Sequence, residues 1–594
     1  MNAPTEGQVR QGFGSSETLN GTEDDALNWH RIDWGSVERD VKRLRQRIFK
    51  AAQQGDGKRV RNLQKLMLRS RSNVLHSVRR VTQLSTGRRT SGVDGETAQK
   101  PRERGALVRT VCQQRTTSSI PRPVKRVYIP KANGKVRPLG IPVIRDRVHQ
   151  ACVKNALEPE WEARFETRNY GFRPGRGCHD AIGAIHTVLA RRSGTKRPWI
   201  LDADLSGAFD RISHRHLMES IGWFPAREEV LGWLTAGVMD RGRFAPTQEG
   251  TPQGGVISPL LLNIALHGME TAAGAKTSLS ADKQSVQAVR KTPILIRYAD
   301  DFVVLCHSKE EAERCKEMLA GWLTPRGLSI NEDKTRIVYL DEGFDFLGFN
   351  VRRYAKNGKV LVKPSKEAVE RARRRVKEVI RSNRGHPGKR IIMDLNPFVK
   401  GWTSYYRPVS ASKAFQALDD YAHRKVWAWA KRSHRRHGGR WIAKRYWGQH
   451  NPARADRWVF GDDGTYLWKF SWTKIQRHPT VRGTASKDDP AMAEYWEKRQ
   501  RRRGVPDIER KLIVRLAVRQ KGLCPGCGLD LVEGAGFELE DLRSWVDWFT
   551  AATRAFHVHH KVLRKNGGSD DPSNLELRHA LCHQQLHAAD HTIR

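Results

Sequence analysis

Two short apolar stretches of the chain carry acidic side chains that suit the binding of divalent metal ions. The run PILIRYADDFVVLC predicts two β-strands around a tight turn, with Asp300 and Asp301 at its tip. The run WILDADLSGAFD predicts a strand that places Asp202 and Asp204 on one face, because side chains alternate along a strand. Two adjacent acids alone are more often solvated turn residues. With a third carboxylate from a neighbouring strand, they become the oxygen ligands that hold two Mg²⁺ ions for phosphoryl transfer.

A second group of candidate ligands lies near the C-terminus. Cys524 and Cys527 form a Cys-x-x-Cys turn, and His579 and Cys582 form a matching pair that begins 52 residues beyond Cys527. Four thiolate or imidazole ligands in two close pairs predict a closed tetrahedral site for structural Zn²⁺. The segments FHVHHK and HALCHQQLH add further histidines, two of them four residues apart on what would be one helix face. Scattered histidines usually have only a structural role. Histidines in these two segments, next to the predicted zinc ligands, favour a second metal site.

The bulk composition indicates a class of partner without indicating an activity. Lys and Arg total 107 against 64 Asp and Glu, a formal net charge of +43 in 594 residues. Such a surface suits a polyanion, and a histone-like or ribosomal-type binder would explain it equally well. The N-terminus has no apolar signal-like core and no run approaches about 20 apolar residues, so we expect neither secretion nor a membrane partner. The eight cysteines lack a disulfide-like framework, which favours a reducing compartment.

Charge, apolar spacing and turn residues divide the chain into six segments, which suits a length too great for one core. Mixed α/β patterning in the middle is flanked by helical patterning. The predicted segments are a disordered tail (1–28), a helical N-terminal extension (29–120), an α/β region (121–360), a basic, Trp-rich helical region (361–447), a connector (448–505) and a metal-rich C-terminal region (506–594).

The α/β region resembles the reverse transcriptases of group II intron-encoded proteins. The runs DADLSGAFD, TPQGGVISPLLLNIAL and YADD, in that order, are similar to motifs A, B and C of the palm in that family. The resemblance implies a right-hand polymerase in which Asp204, rather than Asp202, joins Asp300 and Asp301 as Mg²⁺ ligands. It also implies that Phe209 is the aromatic gate that excludes the ribose 2′-hydroxyl, a role compatible with core packing.

The same resemblance supplies candidates for binding the deoxynucleoside triphosphate. The run VYIPKANGKVRPLGIP looks like the fingers hairpin, with Asn-Gly as its turn. Lys131 and Arg137 would then hold the triphosphate as cations, and Gln253 in TPQGG would lie against the incoming nucleotide. The alternative is a surface hairpin with solvated charges, which the co-occurrence of motifs A to C disfavours. The run NEDKT adds Lys334 as a weaker candidate near the phosphates.

The basic helical region resembles the maturase, or thumb, domain of the same proteins through the run LNPFVKGWTSYYR. Residues 424–447 carry nine Lys or Arg and no acid, interleaved with four tryptophans. Cations for phosphates and aromatic faces for unpaired bases predict an RNA-binding surface. The alternative is a core helix with buried tryptophans and solvated charges. The resemblance implies that this domain binds group II intron RNA in a ribonucleoprotein and stabilises the fold in which the intron splices.

The C-terminal region resembles the HNH, or ββα-metal, endonucleases through the run FHVHHKVLRKNGGSDDPSNLELRHALCHQQLH. The resemblance implies that His560 is the general base that activates water and that Asn574 orients it through hydrogen bonds. His559, His583 and His587 would hold a divalent metal, with Mg²⁺ as the expected ion, on the scissile phosphate of double-stranded DNA. The structural zinc site of that family often has four cysteines, and one position here is a histidine.

These resemblances imply a multidomain α/β and α protein: a right-hand polymerase with fingers, palm and helical thumb, then a connector and a ββα-metal nuclease. The protein would assist intron splicing and remain bound to the RNA. After reverse splicing it would nick the second DNA strand and copy the RNA from the nicked 3′ end.

DNA binding by residues 448–505 is inferred mainly from position and charge. We expect a bacterial-type cytoplasmic protein that joins the nucleoid when it acts on DNA. Two other functions stay open. One is an RNA-binding splicing factor whose polymerase is unused, and the other is a nuclease whose reverse transcriptase serves another pathway, such as defence.

Overall fold

A computed structural model of the chain describes most of residues 32–503 and parts of the C-terminal region. The predicted disordered tail, residues 1–28, lies outside the described residues. Within the part that the structure describes, no helix is long and apolar enough to cross a membrane. The described residues are 29, 32–113, 120–130, 136–190, 197–279, 286–354, 358–451, 454–503, 516, 519–521, 523–528, 531, 556–562, 567–569, 571–580, 582–583 and 586.

The N-terminal region is helical, as its apolar spacing predicts. In the first helix, apolar residues from Val37 to Ile48 recur every three or four positions and are buried along one face. Asp33 caps this helix, because its side chain accepts a hydrogen bond from the Ser36 N–H. The elements are α1 (Trp34–Gln53), α2 (Gly57–Arg69), α3 (Arg71–Arg79), a π-helical turn (Arg80–Leu84), a 3₁₀ turn (Thr86–Arg89) and α4 (Pro101–Gln113).

A hairpin and two helices follow, where the sequence predicts the fingers. The two strands pair antiparallel from Lys125 opposite Ile141 to Pro130 opposite Val136, which confirms the predicted hairpin. Its predicted Asn-Gly turn lies outside the described residues. The elements are β1 (Val124–Pro130), β2 (Val136–Ile141), α5 (Ile144–Arg164) and α6 (Cys178–Leu189).

The palm region alternates strands and helices, as its mixed patterning predicts. Its elements are β3 (Trp199–Ala203), α7 (Ala208–Arg211), α8 (His214–Ile221), α9 (Arg227–Thr235), β4 (Val238–Asp240), β5 (Arg243–Ala245), α10 (Ser258–Ala265), α11 (Met269–Ala272), β6 (Thr277–Leu279), β7 (Val286–Ala288), β8 (Ile294–Tyr298), β9 (Asp301–Cys306), α12 (Lys309–Leu323) and β10 (Arg336–Tyr339).

Four of these strands form the antiparallel sheet that carries the carboxylates, in the order β10-β3-β9-β8. Successive residues of its strands enter two different hydrophobic cores. Ile296 and Val303 belong to the core shared with the N-terminal helices and the thumb, whereas Leu295 and Val304 belong to the core under the palm helices. The sheet therefore separates two hydrophobic cores and is buried on both faces.

A three-stranded sheet leads into the helical thumb region. Trp402, Tyr406 and Phe415 pack together there, with ring centroids 4.5 Å apart for Trp402–Tyr406 and 5.8 Å for Trp402–Phe415. Several aromatic residues of the maturase-like run are thus core residues. The elements are β11 (Phe344–Phe346), β12 (Phe349–Tyr354), β13 (Lys359–Pro364), α13 (Lys366–Ser382), α14 (Gly388–Tyr406), α15 (Ser412–Ser433) and α16 (Gly439–Tyr446).

The connector has two parts with different surroundings. Its first part forms a small sheet on the thumb, and its second part runs back across the polymerase. Asp180 of α6, which is fully buried, accepts hydrogen bonds from His478 Nε2, the Val481 N–H and Arg499 Nη2 at 2.8, 2.8 and 2.9 Å. These contacts tie the second part to the polymerase, and DNA binding by the connector stays a prediction. The elements are β14 (Trp447–Gly448), β15 (Val459–Asp462), β16 (Thr465–Tyr466) and α17 (Ala493–Arg503).

The C-terminal region contains the two strands of the predicted ββα arrangement. They are β17 (Phe556–His560) and β18 (Leu575–His579), paired antiparallel so that His560 lies opposite Leu575. A short 3₁₀ turn (Pro572–Asn574) enters the second strand.

Candidate active sites

The YADD turn joins β8 to β9 and has a left-handed residue at its tip. Ala299 has φ +60°, and Tyr298 pairs with Asp301 across the turn. Gly171 lies directly behind the turn, and a Cβ there would come within 2.1 Å of the Ala299 nitrogen. Only glycine permits this close approach, so the backbone of the YGF segment packs directly against the turn.

Buried polar side chains hold the same turn from below. Arg297, 1% exposed, donates from Nη1 to the Ala299 carbonyl at 3.0 Å and to Asn263 Oδ1 at 3.1 Å. Asn263 in turn donates from Nδ2 to the Gly171 carbonyl at 2.9 Å. Sequence reasoning missed this network, because its members are separated by up to about 130 residues and form no local pattern.

The sheet register brings the predicted carboxylates together. The β3–β9 ladder ends with Ala203 opposite Phe302, so the next residues, Asp204 and Asp301, face each other, whereas Asp202 lies beside Val303. This geometry favours Asp204 over Asp202 as the partner of the YADD turn.

A cavity of about 590 Å³ opens beside these strands, and Asp202, Asp204 and Asp301 all line it. Asp300 is not among the lining residues, but its carboxylate interacts electrostatically with Asp204 and Arg137. Sequence reasoning missed Asp345, which also lines the cavity and lies on the next sheet.

The electrostatics of this cluster suit a bound cation. Burial, together with repulsion from neighbouring carboxylates, raises the pKa of Asp300 and of Asp301. Lys334 forms an ion pair with Asp204, which places the weaker sequence candidate in the site. Burial also raises the pKa of Asp202 to about 6, opposed by Arg336, whose Nη2 lies 3.4 Å from its Oδ2. The clustered carboxylates repel one another when all are ionised, and a divalent cation with oxygen ligands would relieve that repulsion.

The predicted nucleotide-contacting residues that the structure describes lie on different elements of the palm and fingers regions. Phe209 is 9% exposed and meets Phe172 edge-on, with ring centroids 6.1 Å apart, so it has a packing role whatever else it does. Gln253 is half-buried, and its carbonyl accepts a hydrogen bond from the Gly140 N–H at 2.9 Å, which links motif B to the fingers. Arg137 is exposed on β2. Lys131 lies outside the described residues, and sequence reasoning missed Phe172.

The predicted zinc ligands converge in the C-terminal region. The Cys/His tetrad consists of Cys524, Cys527, His579 and Cys582, whose side chains are buried and whose ligand atoms lie within 4.8 Å of one another. The His579 Nδ1 is 3.4 Å from the Cys527 Sγ and 3.8 Å from the Cys582 Sγ. Ligand atoms around a tetrahedral Zn²⁺ are expected about 3.6 Å apart, from Zn–S and Zn–N distances of roughly 2.3 and 2.1 Å.

The orientation of the tetrad histidine also fits a metal. Its Nε2 lies 3.1 Å from the Leu531 carbonyl, so a proton on that atom leaves Nδ1 as the ligand. Gly526 sits in the turn between the cysteines, where a Cβ would come within 3.2 Å of the Cys582 Cβ. The residues present therefore fit a structural zinc ion.

Two of the predicted nuclease histidines lie on opposite faces of β17. His559 is buried and His560, the next residue, is half-buried on the other face. The His583 ring lies 5.3 Å from the His559 ring and 4.9 Å from that of His557, a histidine that sequence reasoning did not select. His557 and His559 are two residues apart on one strand face, which is the signal that could have identified His557. His587 lies outside the described residues.

Asn574 holds the loop that follows the strand of His560. Its Oδ1 accepts a hydrogen bond from the Val562 N–H at 2.8 Å, and its Nδ2 donates to the carbonyls of Val562 and Ser569 at 3.0 and 2.9 Å. The expected effect of Asn574 on His560 stays a prediction and would act through this loop.

Four regions of the chain match known sequence families. Residues 29–111 match the N-terminal domain of reverse transcriptase, and residues 129–351 match Reverse transcriptase (RNA-dependent DNA polymerase). Residues 369–447 match Group II intron, maturase-specific domain, and residues 547–589 match HNH endonuclease.

Individual relatives match parts of the chain. Protein YkfC of Escherichia coli (strain K12) is 38% identical over 313 residues, which cover 48% of this chain and 81% of that protein. Group II intron-encoded protein LtrA of Lactococcus lactis subsp. cremoris is 30% identical over 288 residues, 39% of this chain and 47% of LtrA. Maturase-like protein 1 of Euglena gracilis is 27% identical over 377 residues, 63% of this chain and 76% of that protein. The match to LtrA thus spans about half of its length.

Proposed function

Since this chain belongs to the group II intron-encoded proteins, with reverse transcriptase, maturase and HNH regions, we propose that it copies intron RNA into DNA at a target that it nicks. It is an RNA-directed DNA polymerase and a DNA endonuclease. The proposed partners are the intron RNA, double-stranded target DNA and deoxynucleoside triphosphates. The proposed location is the bacterial cytoplasm and nucleoid, which agrees with eight cysteines that form no disulfide bond, all of them among the residues that the structure describes.

The juxtaposition of Asp204 with the YADD turn is the observation that carries the proposal. Asp204, Asp300 and Asp301 would hold the Mg²⁺ ions. When bound, Mg²⁺ lowers the pKa of a primer 3′-hydroxyl and neutralises charge on the triphosphate. The aspartates must be ionised for this, and their raised pKa values mean that a proton and the metal compete for them.

The surrounding side chains of the chain itself would bind and orient the nucleotide. Arg137, whose charge acts on Asp300, would attract the phosphates. Lys334 is 63% exposed at its side chain, so its ammonium is free to leave Asp204 and approach the triphosphate. Phe209, which packs edge-on against Phe172, would exclude a ribose 2′-hydroxyl.

A matched pair of variants tests the metal assignment. Asp204→Asn should abolish cDNA synthesis from an RNA template and DNA primer with Mg²⁺ and deoxynucleotides. Asp202→Asn removes a carboxylate from the same cavity and should retain most of the activity. Equal losses in the two variants would contradict the assignment of Asp204.

An aromatic cleft on the thumb supports binding of intron RNA. His423, Arg424 and Trp427 of α15 and Trp458 before β15 line a cavity of about 200 Å³. Trp458 is 49% exposed, and its Nε1 donates a hydrogen bond to the His423 Nε2 at 3.0 Å. An exposed indole beside an arginine suits the stacking of an unpaired base.

The other tryptophans of this region divide between core and surface. Trp429 and Trp447 are 5% and 7% exposed, which fits the alternative of a core helix with buried tryptophans. Trp441 is 40% exposed and lies at the surface. Trp458→Ala should therefore weaken intron RNA binding by about 1–3 kcal/mol, the value of one stacked base. Trp223, 87% exposed and far along the chain in the palm region, provides the control substitution Trp223→Ala. An unchanged affinity of Trp458→Ala for intron RNA would show that the cleft does not bind the RNA.

The nuclease region would cut the second DNA strand. We propose that His560 takes a proton from the attacking water, and that His559 and His583, with His587, hold a divalent ion. That ion stabilises the departing oxygen when bound. The Cys/His tetrad would hold zinc.

A further inference from the structure

A side chain from the opposite end of the chain touches the Cys/His tetrad. Arg79 is the last residue of α3, and its Nη2 donates a hydrogen bond to the Cys582 Sγ at 3.0 Å, across 503 residues of sequence. Its guanidinium lies 4.5 Å from the centroid of the Trp34 ring, and the residue is 1% exposed. A buried guanidinium requires an anionic partner, because an unpaired charge away from water is strongly destabilising.

The charge of the tetrad suits one arginine. Three thiolates and a neutral imidazole around Zn²⁺ carry one net negative charge, which the guanidinium of Arg79 balances. A four-cysteine site would carry two negative charges. Arg79 interacts electrostatically with Cys527 and Cys582 of the tetrad and also with Glu38. The Glu38 Oε2 lies 3.3 Å from the His76 Nε2. One guanidinium therefore balances the net charge of this ligand set, which a fourth thiolate would exceed.

The surroundings of the tetrad also belong to the N-terminal helices. Its cysteines and Leu531 are part of the same continuous hydrophobic core as Trp34 and Val78. An ionic hydrogen bond inside an apolar interface is stronger than one at the surface, because water does not screen it. Arg79 is thus placed as the polar centre of a contact between the nuclease region and α3.

We propose that the zinc site is an interdomain lock, in which the metal-bound tetrad holds the nuclease region against the N-terminal helices through Arg79. Loss of the metal releases the cysteines from their fixed tetrahedral arrangement, so the Cys582 Sγ that Arg79 contacts is no longer held in place and the contact opens. A docked nuclease keeps the nicked 3′ end close to the polymerase, at a higher effective concentration than a free tether gives. This goes beyond a zinc ion that stabilises only the nuclease fold.

The rate of zinc transfer from the full-length protein to a chelator tests the role of Arg79. Arg79→Gln should accelerate zinc loss about 10- to 100-fold, the usual effect of removing an outer partner of a metal site. Arg79→Lys keeps the positive charge and should give an intermediate rate. Arg71→Gln removes an exposed charge from the same helix and should match the wild-type rate. Equal rates for Arg79→Gln and the wild type would overturn the proposal.

Amide hydrogen exchange in the full-length protein tests the lock without altering Arg79. Cys582→Ser, or chelation of the wild type, should raise exchange in residues 71–84, which contain no metal ligand, as well as in the nuclease region. A rise confined to the nuclease region would refute the lock. Primer extension on an annealed primer–template should persist, and this separates loss of docking from loss of polymerase activity.

Discussion

The polymerase centre and the nuclease centre of this protein are supported by different forces. The polymerase carboxylates stand on a four-stranded sheet that lies between two hydrophobic cores, and buried Arg297 holds their turn. The nuclease residues His559 and His560 lie on a two-stranded antiparallel sheet, a unit that is marginally stable alone. His579, a member of the Cys/His tetrad, is the last residue of the second strand. Apolar burial therefore stabilises the first centre, and we expect metal coordination to stabilise the second.

The largest expected effect separates polymerisation from RNA binding. Replacement of Asp300 and Asp301 by Ala should reduce cDNA synthesis by at least about 10³-fold, because metal stabilisation of several kcal/mol is lost. Protein-assisted splicing should be largely intact, because the RNA-binding thumb is untouched. Primer extension and a splicing assay on the same preparation check this. Substantial residual polymerisation would remove these residues from the metal site.

Loss of the nuclease base should have the opposite selectivity. His560→Ala should reduce second-strand cleavage about 10²- to 10⁴-fold, the usual contribution of a general base. Splicing, reverse splicing into the first strand and copying of an annealed primer should be retained.

A pre-nicked target sharpens this test. Target-primed synthesis by His560→Ala should fail on intact duplex DNA and recover when the second strand is already nicked. Normal cutting by the variant would contradict the role of His560. Absence of rescue would show that the nick does not supply the primer.

The difference between metal and apolar stabilisation can be tested by substituting a zinc ligand in one variant and a core residue in another. Cys524→Ser should release zinc and unfold the nuclease region locally, because small metal domains draw their folding free energy from the ion. Leu305→Ala, at a fully buried position of β9, should instead destabilise the polymerase by about 2–5 kcal/mol. Zinc analysis and thermal unfolding distinguish the two. Bound zinc in Cys524→Ser, or an intact nuclease without zinc, would contradict the contrast.

The smallest expected effect concerns selectivity within the polymerase centre. Phe209→Ala should raise the use of ribonucleotides relative to deoxyribonucleotides by about tenfold or more, since one steric contact is worth about 1–3 kcal/mol. Single-nucleotide incorporation with each substrate measures the ratio. Unchanged discrimination in a folded variant would leave Phe209 with its packing role against Phe172 alone.

Prediction from sequence succeeded where the chemistry requires particular residues close together in the chain. The YADD hairpin, the fingers hairpin and the Cys/His tetrad are all present in the structure. Local spacing predicted them because turns and strand alternation impose short periods. The connector was less predictable, since its contacts with Asp180 join segments about 300 residues apart.

The sequence by itself determined which atoms are available for chemistry: three carboxylates, four zinc-type ligands, paired nuclease histidines and a strongly basic surface. The tertiary structure alone showed other contacts, which place Phe172 against Phe209 and Arg79 against Cys582. Its strand register also puts Asp204 opposite Asp301, as the family resemblance implies. Such contacts depend on how buried surfaces and charges are matched over the whole fold, and the long stretches of chain between the partners leave no periodic trace of them in the sequence.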